Sequence, residues 1–338
     1  MAFNRRLFAK KWHDYCIFLI SSIPNTFRLT MENSPILVTG SHRSGTTFTG
    51  KVLSLDKNLG LIYEPFNQVN FHGINRFNTQ EWYQFVDNSN GDEYFSNFDE
   101  ALHYNFSIDF DELKKDPIPK FLHLLKAYFD AQEFKFLHKR PLVKDPLALF
   151  SAPWLAQNFR MNVVLLIRHP AAFVSSVTGL NWSHVFNSFL HQPLLMDSHY
   201  LEPFREEIKD FAAKEYPIIE QASLLWRIFY STVKHYQEEF PEWIYIKHEA
   251  LSLDPVTEFK KLYERLNLNF TKEIEKEIIH LTNDNHFLDP ISFDPSRLRR
   301  DSKKNVSLWK SRLKKEEISF IKNNVGEISK HFYGEDEW

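Results

Sequence analysis

The chain has 338 residues, of which 43% are hydrophobic and 25% charged, and a formal net charge of −3. These values suit one large globular α/β domain with insertions, or two small domains, and give no sign of general nucleic-acid binding. Cys16 is the only cysteine, which excludes an intrachain disulfide and a cysteine-based metal site.

The N-terminus is basic (Arg5, Arg6, Lys10, Lys11) and runs into an apolar stretch, 16–20. That stretch is far short of the ~20 residues a membrane-spanning helix needs. Residues 1–33 therefore read as a peripheral segment of a cytoplasmic protein, with weak peripheral membrane contact as a lesser alternative and no transmembrane segment. Residues 34–338 read as a single domain with insertions at 67–120 and 183–213.

Pro35 to Gly40 reads as a short buried strand ending in a turn, and Thr46 to Leu55 as the helix after it. Leu59 to Tyr63 is a second strand candidate. The first insertion is aromatic and polar, with turn signals at 88–91, and is expected to be helical or looping. Leu142 to Asp145 is a short strand, with a helix from Leu147 to Phe159. Asn162 to Ile167 is continuous, apolar and β-branched, as a strand buried on both faces should be. Pro170 opens the next helix, where its missing N–H costs nothing. A long helix from Tyr216 to Phe240 precedes a strand, Trp243 to Lys247. Two helices follow (255–266 and 272–281), then a basic loop and a last helix from Lys315 to about His331. Strands alternating with helices predict an α/β fold, a central parallel sheet with helices on both faces and helical insertions. Right-handed crossovers bring the strand C-termini, and any ligand, to one edge.

Three of the nine glycines, Gly40, Gly45 and Gly50, fall within eleven residues. The run Gly40-Ser-His-Arg-Ser-Gly-Thr-Thr47 lies between a strand and a helix. A loop of this spacing curls its backbone N–H groups inward, and the helix adds its free N–H groups and positive dipole end. His42, Arg43, Ser44, Gly45, Thr46 and Thr47 are the candidate anion-binding residues. The length is that of a nucleotide P-loop, but Thr46 stands where that motif has lysine, and the cation is Arg43. A phosphosulfate needs no Mg²⁺, and one arginine near its bridging oxygen would stabilise the leaving phosphate.

The best strand ends in Arg168, where a Mg²⁺-binding aspartate is common in P-loop nucleoside triphosphatases. Arginine there fits a further ligand phosphate. Ser176, eight residues on, reaches the same group after two helical turns.

Together these motifs resemble the 3′-phosphoadenosine 5′-phosphosulfate (PAPS)-dependent sulfotransferase family, closer to its glycan and bacterial members than to those acting on small phenols. Residues 43–47 are similar to the family's 5′-phosphosulfate loop, and Arg168 with Ser176 to its 3′-phosphate motif. Residues 249–255 are similar to a segment that follows the last core strand. Residues 299–309, with Arg299, Arg300, Lys303 and Lys304, resemble the loop that closes over the cofactor. The resemblance implies a sulfotransferase with a P-loop-like phosphosulfate-binding loop, using PAPS, releasing adenosine 3′,5′-bisphosphate and requiring no metal.

Sulfuryl transfer needs a base for the acceptor proton and cations around the moving group. Glu64, at the end of the second strand, is the candidate base, and the family's glycan-modifying members often use a glutamate in this region. The alternative is a structural carboxylate that caps the turn before Pro65. Lys144 ends another strand and either binds sulfuryl oxygens or pairs with Asp145. The catalytic candidates are thus Arg43, Glu64 and Lys144. The acceptor is expected to be a hydroxyl or amine, with the aromatic insertions favouring a carbohydrate. A P-loop small-molecule kinase and a non-catalytic nucleotide-binding module are the rival readings.

Overall fold

A computed structural model describes residues 34–68, 79–105, 117–282 and 302–338. The expected peripheral segment 1–33, residues 69–78 and 106–116 of the first insertion, and Arg299 and Arg300 lie outside the described residues. Among the described residues, no helix is long and apolar enough to cross a membrane.

In chain order, β1 (Ile36–Gly40) leads through the glycine loop to α1 (Thr46–Leu53) and β2 (Leu59–Tyr63). The first insertion contributes α2 (Asp92–Leu102), and α3 (Pro117–Phe136) leads into β3 (Arg140–Lys144). Next come α4 (Ala152–Phe159), β4 (Asn162–Ile167) and α5 (Pro170–Gly179). The second insertion folds as short helical turns ending in α6 (Arg205–Ala213), ahead of the long α7 (Ile218–Glu239). The chain then forms β5 (Ile244–Lys247), α8 (His248–Leu253), α9 (Pro255–Arg265), α10 (Lys272–Thr282), α11 (Ser302–Ser307) and α12 (Lys315–Phe332).

Three sequence expectations change. The helix expected from Leu147 begins as a tight 3₁₀ segment, Pro146–Ser151, because the Asp145 side chain caps the Leu147 N–H and Pro146 follows the cap. A short helix, α8, directly follows β5, where no periodic pattern is long enough to reveal it. The described part of the basic loop is helical: Lys303 and Lys304 are exposed on α11, and a further turn spans Trp309–Arg312. A charge run is as compatible with a solvated helix face as with a loop.

The five strands form one parallel sheet in the order β2-β3-β1-β4-β5. Side chains alternate across the sheet with period two, and this sorts two cores. Leu37, Ile62, Val143, Val163, Leu165 and Ile167 face one core, with α4, α5, α7 and α12. Ile36, Val38, Leu142, Val164 and Leu166 face the other, with α1, α9 and α10. Helices therefore cover both faces, which is why these strands read as unbroken apolar runs. From β1 the chain passes to the β2 edge, and after β3 it crosses to the β4 side. The order therefore reverses around β1, and in open α/β sheets the crevice outside the strand C-termini at such a point receives ligand.

Phe259 of α9 is fully buried and meets Phe48 of α1 edge-on, with ring centroids 5.7 Å apart. Phe259→Ala should cost about 3–5 kcal/mol through lost burial and a residual cavity. Urea unfolding checks this: the midpoint should fall without a change of slope.

Candidate active site

All five strands deliver a candidate residue or its neighbour at the same edge. β1 ends in the Gly40–Thr47 loop, β2 in Glu64, β3 in Lys144, β4 in Arg168, and β5 in His248 and Glu249.

The loop after β1 is tight because its neighbours leave no room. A Cβ at Gly40 (φ 143°) would lie 2.5 Å from the Leu166 carbonyl oxygen on the paired strand. One at Gly45 (φ 96°) would lie 2.4 Å from Nδ1 of His248. Both positions therefore require glycine, by space and by backbone. Ser44 closes the turn, its N–H and Oγ donating to the Ser41 carbonyl at 3.2 and 2.6 Å. Ser41 Oγ meets the Tyr230 hydroxyl of α7 at 2.9 Å. Thr46 is buried at the first position of α1.

The two arginines sit together. Arg43 Nε donates to Ser176 Oγ at 2.9 Å, and Arg168 Nη1 donates to the Arg43 carbonyl. The Arg168 backbone is pinned from α7: its N–H donates to the Tyr230 hydroxyl at 2.8 Å, and its carbonyl accepts from Trp226 Nε1 at 3.0 Å. Ser176 thus touches Arg43 directly, joining the two halves of the expected clamp through protein atoms. The Arg43 guanidinium also lies 5.7 Å from the Trp182 ring, which stays about a third exposed at 36%.

Glu64 and Lys144 form one unit. Lys144 Nζ donates to Glu64 Oε1, reaches Thr47 Oγ1 at 3.3 Å and lies 3.3 Å from the Tyr63 ring centroid. Asn67 Nδ2 donates to Glu64 Oε2 at 2.6 Å. Of the two readings of Lys144, pairing with Asp145 does not occur as a contact. Asp145 instead accepts backbone N–H groups from Phe66 at 2.6 Å and Leu147 at 2.9 Å. Arg43 (φ 62°) and Glu64 (φ 46°) both adopt the left-handed backbone, a strained conformation for such residues that persists only where the surroundings impose it.

His42 turns its ring away into an aromatic cluster. Its Nδ1 meets the Tyr83 hydroxyl, and Phe173, Phe229 and Trp182 surround it at 5.0, 5.9 and 6.3 Å between centroids. The part of His42 left to line the loop is its backbone. The basic segment docks beside the loop: Ser302 Oγ donates to the Ser252 carbonyl of α8 at 2.8 Å, and α8 carries the His248 that abuts Gly45.

Sequence reasoning missed Tyr230, His248 and the partners of Glu249. Glu249 is buried, accepts from the His169 N–H and the Tyr333 hydroxyl, both at 3.0 Å, and has its carboxyl held up by that burial. His169 follows Arg168 and is buried, with neither ring nitrogen hydrogen-bonded. It stacks on Trp309 (4.9 Å) and meets Tyr333 and Trp338 edge-on.

A parallel sheet with a tight glycine loop after its central strand and two neighbouring arginines at the strand C-termini defines a P-loop-like α/β protein. The chain belongs to the sulfotransferase family, whose sequence model matches residues 35–272. No curated protein matches significantly. Among solved structures, the chain is similar to a sulfotransferase domain from the curacin biosynthetic pathway (17% identity, TM-score 0.42, covering 86% of this chain and 97% of that one). It is also similar to a mouse sulfotransferase complexed with PAP (13%, 0.42, 89% and 85%) and to sulfotransferase STF9 from Mycobacterium avium (15%, 0.42, 95% and 81%).

The buried histidines set an acid limit on stability. Burial lowers His42 and His169 from 6.5 to about 3 and His184 to about 4. His184 and Arg43 add to the effect on His42, and Lys310, Lys247 and Arg168 to that on His169. Below pH 6.5 the unfolded chain takes up protons that the folded one refuses, so this contribution is full above 6.5 and drains as pH falls. Each histidine has a limiting slope of about 1.4 kcal/mol per pH unit. Asp145 acts oppositely, because burial and then Glu64 raise it to about 7, so it adds stability as pH falls below that value. Glu249, also raised by burial, acts in the same sense as Asp145, and three histidines against two carboxyls leave acid net destabilising. The unfolding free energy should fall between about pH 6.5 and 4, and His169→Phe should flatten the fall; urea titrations at stepped pH check it.

Proposed function

We propose that the protein transfers the sulfuryl group of PAPS to a hydroxyl or amine of an acceptor by direct in-line attack, without a metal or covalent intermediate. The observation that carries this reading is the contact of Arg43 with Ser176, with Arg168 held on the Arg43 carbonyl. One ligand spanning a 5′-phosphosulfate and a 3′-phosphate can touch both grips at once. Family membership supports the donor.

In this reading, Arg43, Thr46, Thr47 and the backbone of His42, Ser44 and Gly45 hold the phosphosulfate. Arg168, Ser176, Lys303 and Lys304 hold the 3′-phosphate, joined by Arg299 and Arg300 from outside the described residues. The acceptor oxygen forms its bond to sulfur as the bond from sulfur to the bridging oxygen breaks. That electron pair stays on the departing adenosine 3′,5′-bisphosphate, where Arg43 stabilises it. Glu64 takes the acceptor proton, and Lys144 bridges the base and the loop. The half-open face of Trp182 beside Arg43 suits stacking of a sugar ring, which favours a carbohydrate acceptor. The reading puts the enzyme in the cytoplasm, a reducing compartment that a lone cysteine suits.

Adenosine 3′,5′-bisphosphate should raise the melting temperature more than ATP with Mg²⁺; the opposite order would favour a kinase. In an acceptor screen with labelled PAPS, Arg43→Ala should lower turnover by about 10²–10³-fold. Glu64→Gln should lower it by about 10²–10⁴-fold while leaving bisphosphate binding intact. Tight bisphosphate binding with no transfer to glycans, phenols or lipids would identify a binding module instead.

A further inference from the structure

The last turn of α7 carries His235 and Glu239, four residues apart and so on one face of the helix. The second insertion brings His199 against them. The ligand atoms of these three side chains all lie within 4.8 Å of one another, and no other such group occurs among the described residues. His199 Nε2 is 2.8 Å from Glu239 Oε1, and the His199 and His235 rings stand edge-on at 5.3 Å between centroids.

We propose that His199, His235 and Glu239 form a site for a borderline divalent transition metal of the zinc class, outside the transfer site. Two imidazoles and a carboxylate are a donor set such ions prefer, and three protein ligands leave a fourth position for water. A tetrahedral ion with bonds of about 2.1 Å holds its ligand atoms roughly 3.4 Å apart. The spacing present brackets that value, so small side-chain rotations close the site. The other oxygen of the carboxylate is already positioned: Tyr200 donates its hydroxyl to Glu239 Oε2 at 3.0 Å, and its ring lies 4.0 Å from that of His199. Outer contacts of this kind orient ligands for a metal. The helix end favours a cation as well, because the free carbonyls of the last turn carry the negative end of the dipole. Access is open, since His199 and Tyr200 line a surface cavity of about 460 Å³.

The ion would not take part in transfer. Tyr230, which touches the arginine loop, is nine residues before Glu239 on the same helix. At 1.5 Å per residue that is about 13 Å along the axis. Its effect would be to staple the second insertion to α7, replacing a solvent-exposed ion pair by three metal bonds.

The test is titration of the chelator-stripped full-length protein with Zn²⁺ by calorimetry, and with Co²⁺ by visible absorption. One saturable equivalent of Zn²⁺, a tetrahedral Co²⁺ spectrum and a raised melting temperature are expected. His199→Ala and His235→Ala should each lose at least tenfold in affinity. Glu239→Gln, which keeps the helix face and its shape, should do the same. His191→Ala, in the same insertion but paired with Glu81, should bind as the parent does. No saturable binding, or equal affinity in the parent and the three ligand variants, would overturn the proposal and leave the group an ion pair. Sulfuryl transfer by the metal-free protein is measured separately and bears only on the reaction assigned to Arg43.

Discussion

The site depends on two guanidinium groups being held at one sheet edge. Bringing Arg43 and Arg168 together is opposed by their like charge, so the fold must fix them by other means. Neutral groups help to do so: the Arg43 carbonyl for Arg168, Ser176 Oγ for Arg43, and the Tyr230 hydroxyl for the Arg168 backbone. Ser41 shares that hydroxyl, so one tyrosine ties both loops to α7. The sheet supplies the spacing, because β1 and β4 are paired through Gly40, where the first loop starts, and Leu166, two residues before Arg168. In the proposed reaction, the arriving donor would therefore meet hydrogen-bond donors already in place, which is the condition for electrostatic stabilisation without reorganisation.

This arrangement explains what was legible in the sequence. A strand buried on both faces must be apolar throughout, so Asn162 to Ile167 and Leu59 to Tyr63 have the expected bounds. The loop was legible because its glycines answer to backbone constraints, close approach at Gly40 and at Gly45, rather than to composition. What escaped notice depends on contacts distant in sequence. Tyr230 lies 189 residues from Ser41, and nothing in its own helical pattern separates it from the core aromatics around it. His248 is legible only once β5 and its six-residue helix are placed beside Gly45. The basic run could not be resolved into helix or loop, since exposed lysines suit either.

His169 shows a related cost. It is the residue between Arg168 and Pro170, so its backbone is fixed by the strand end and the helix start. Its N–H is used by Glu249 and its ring is enclosed by Trp309, Tyr333 and Trp338. A neutral imidazole in that box stabilises the contact between the C-terminal segments and the strand end, but only while it stays unprotonated. Both ring nitrogens of His169 are buried without a hydrogen bond, directly after Arg168 in the chain.

The Lys144–Glu64 pair is the clearest case of such a cost. Lys144 is 1% exposed, and buried ion pairs rarely add stability over apolar packing, so stability alone does not account for it. Its ammonium is shared between the Glu64 carboxylate and Thr47 of the loop. In the proposed reaction the sulfuryl oxygens arrive on the Thr47 side. A new negative group there would compete with Glu64 for the same ammonium protons. In the proposed reaction, Lys144 would thus link donor binding to the base through one shared ammonium, at a Glu64 whose backbone is left-handed.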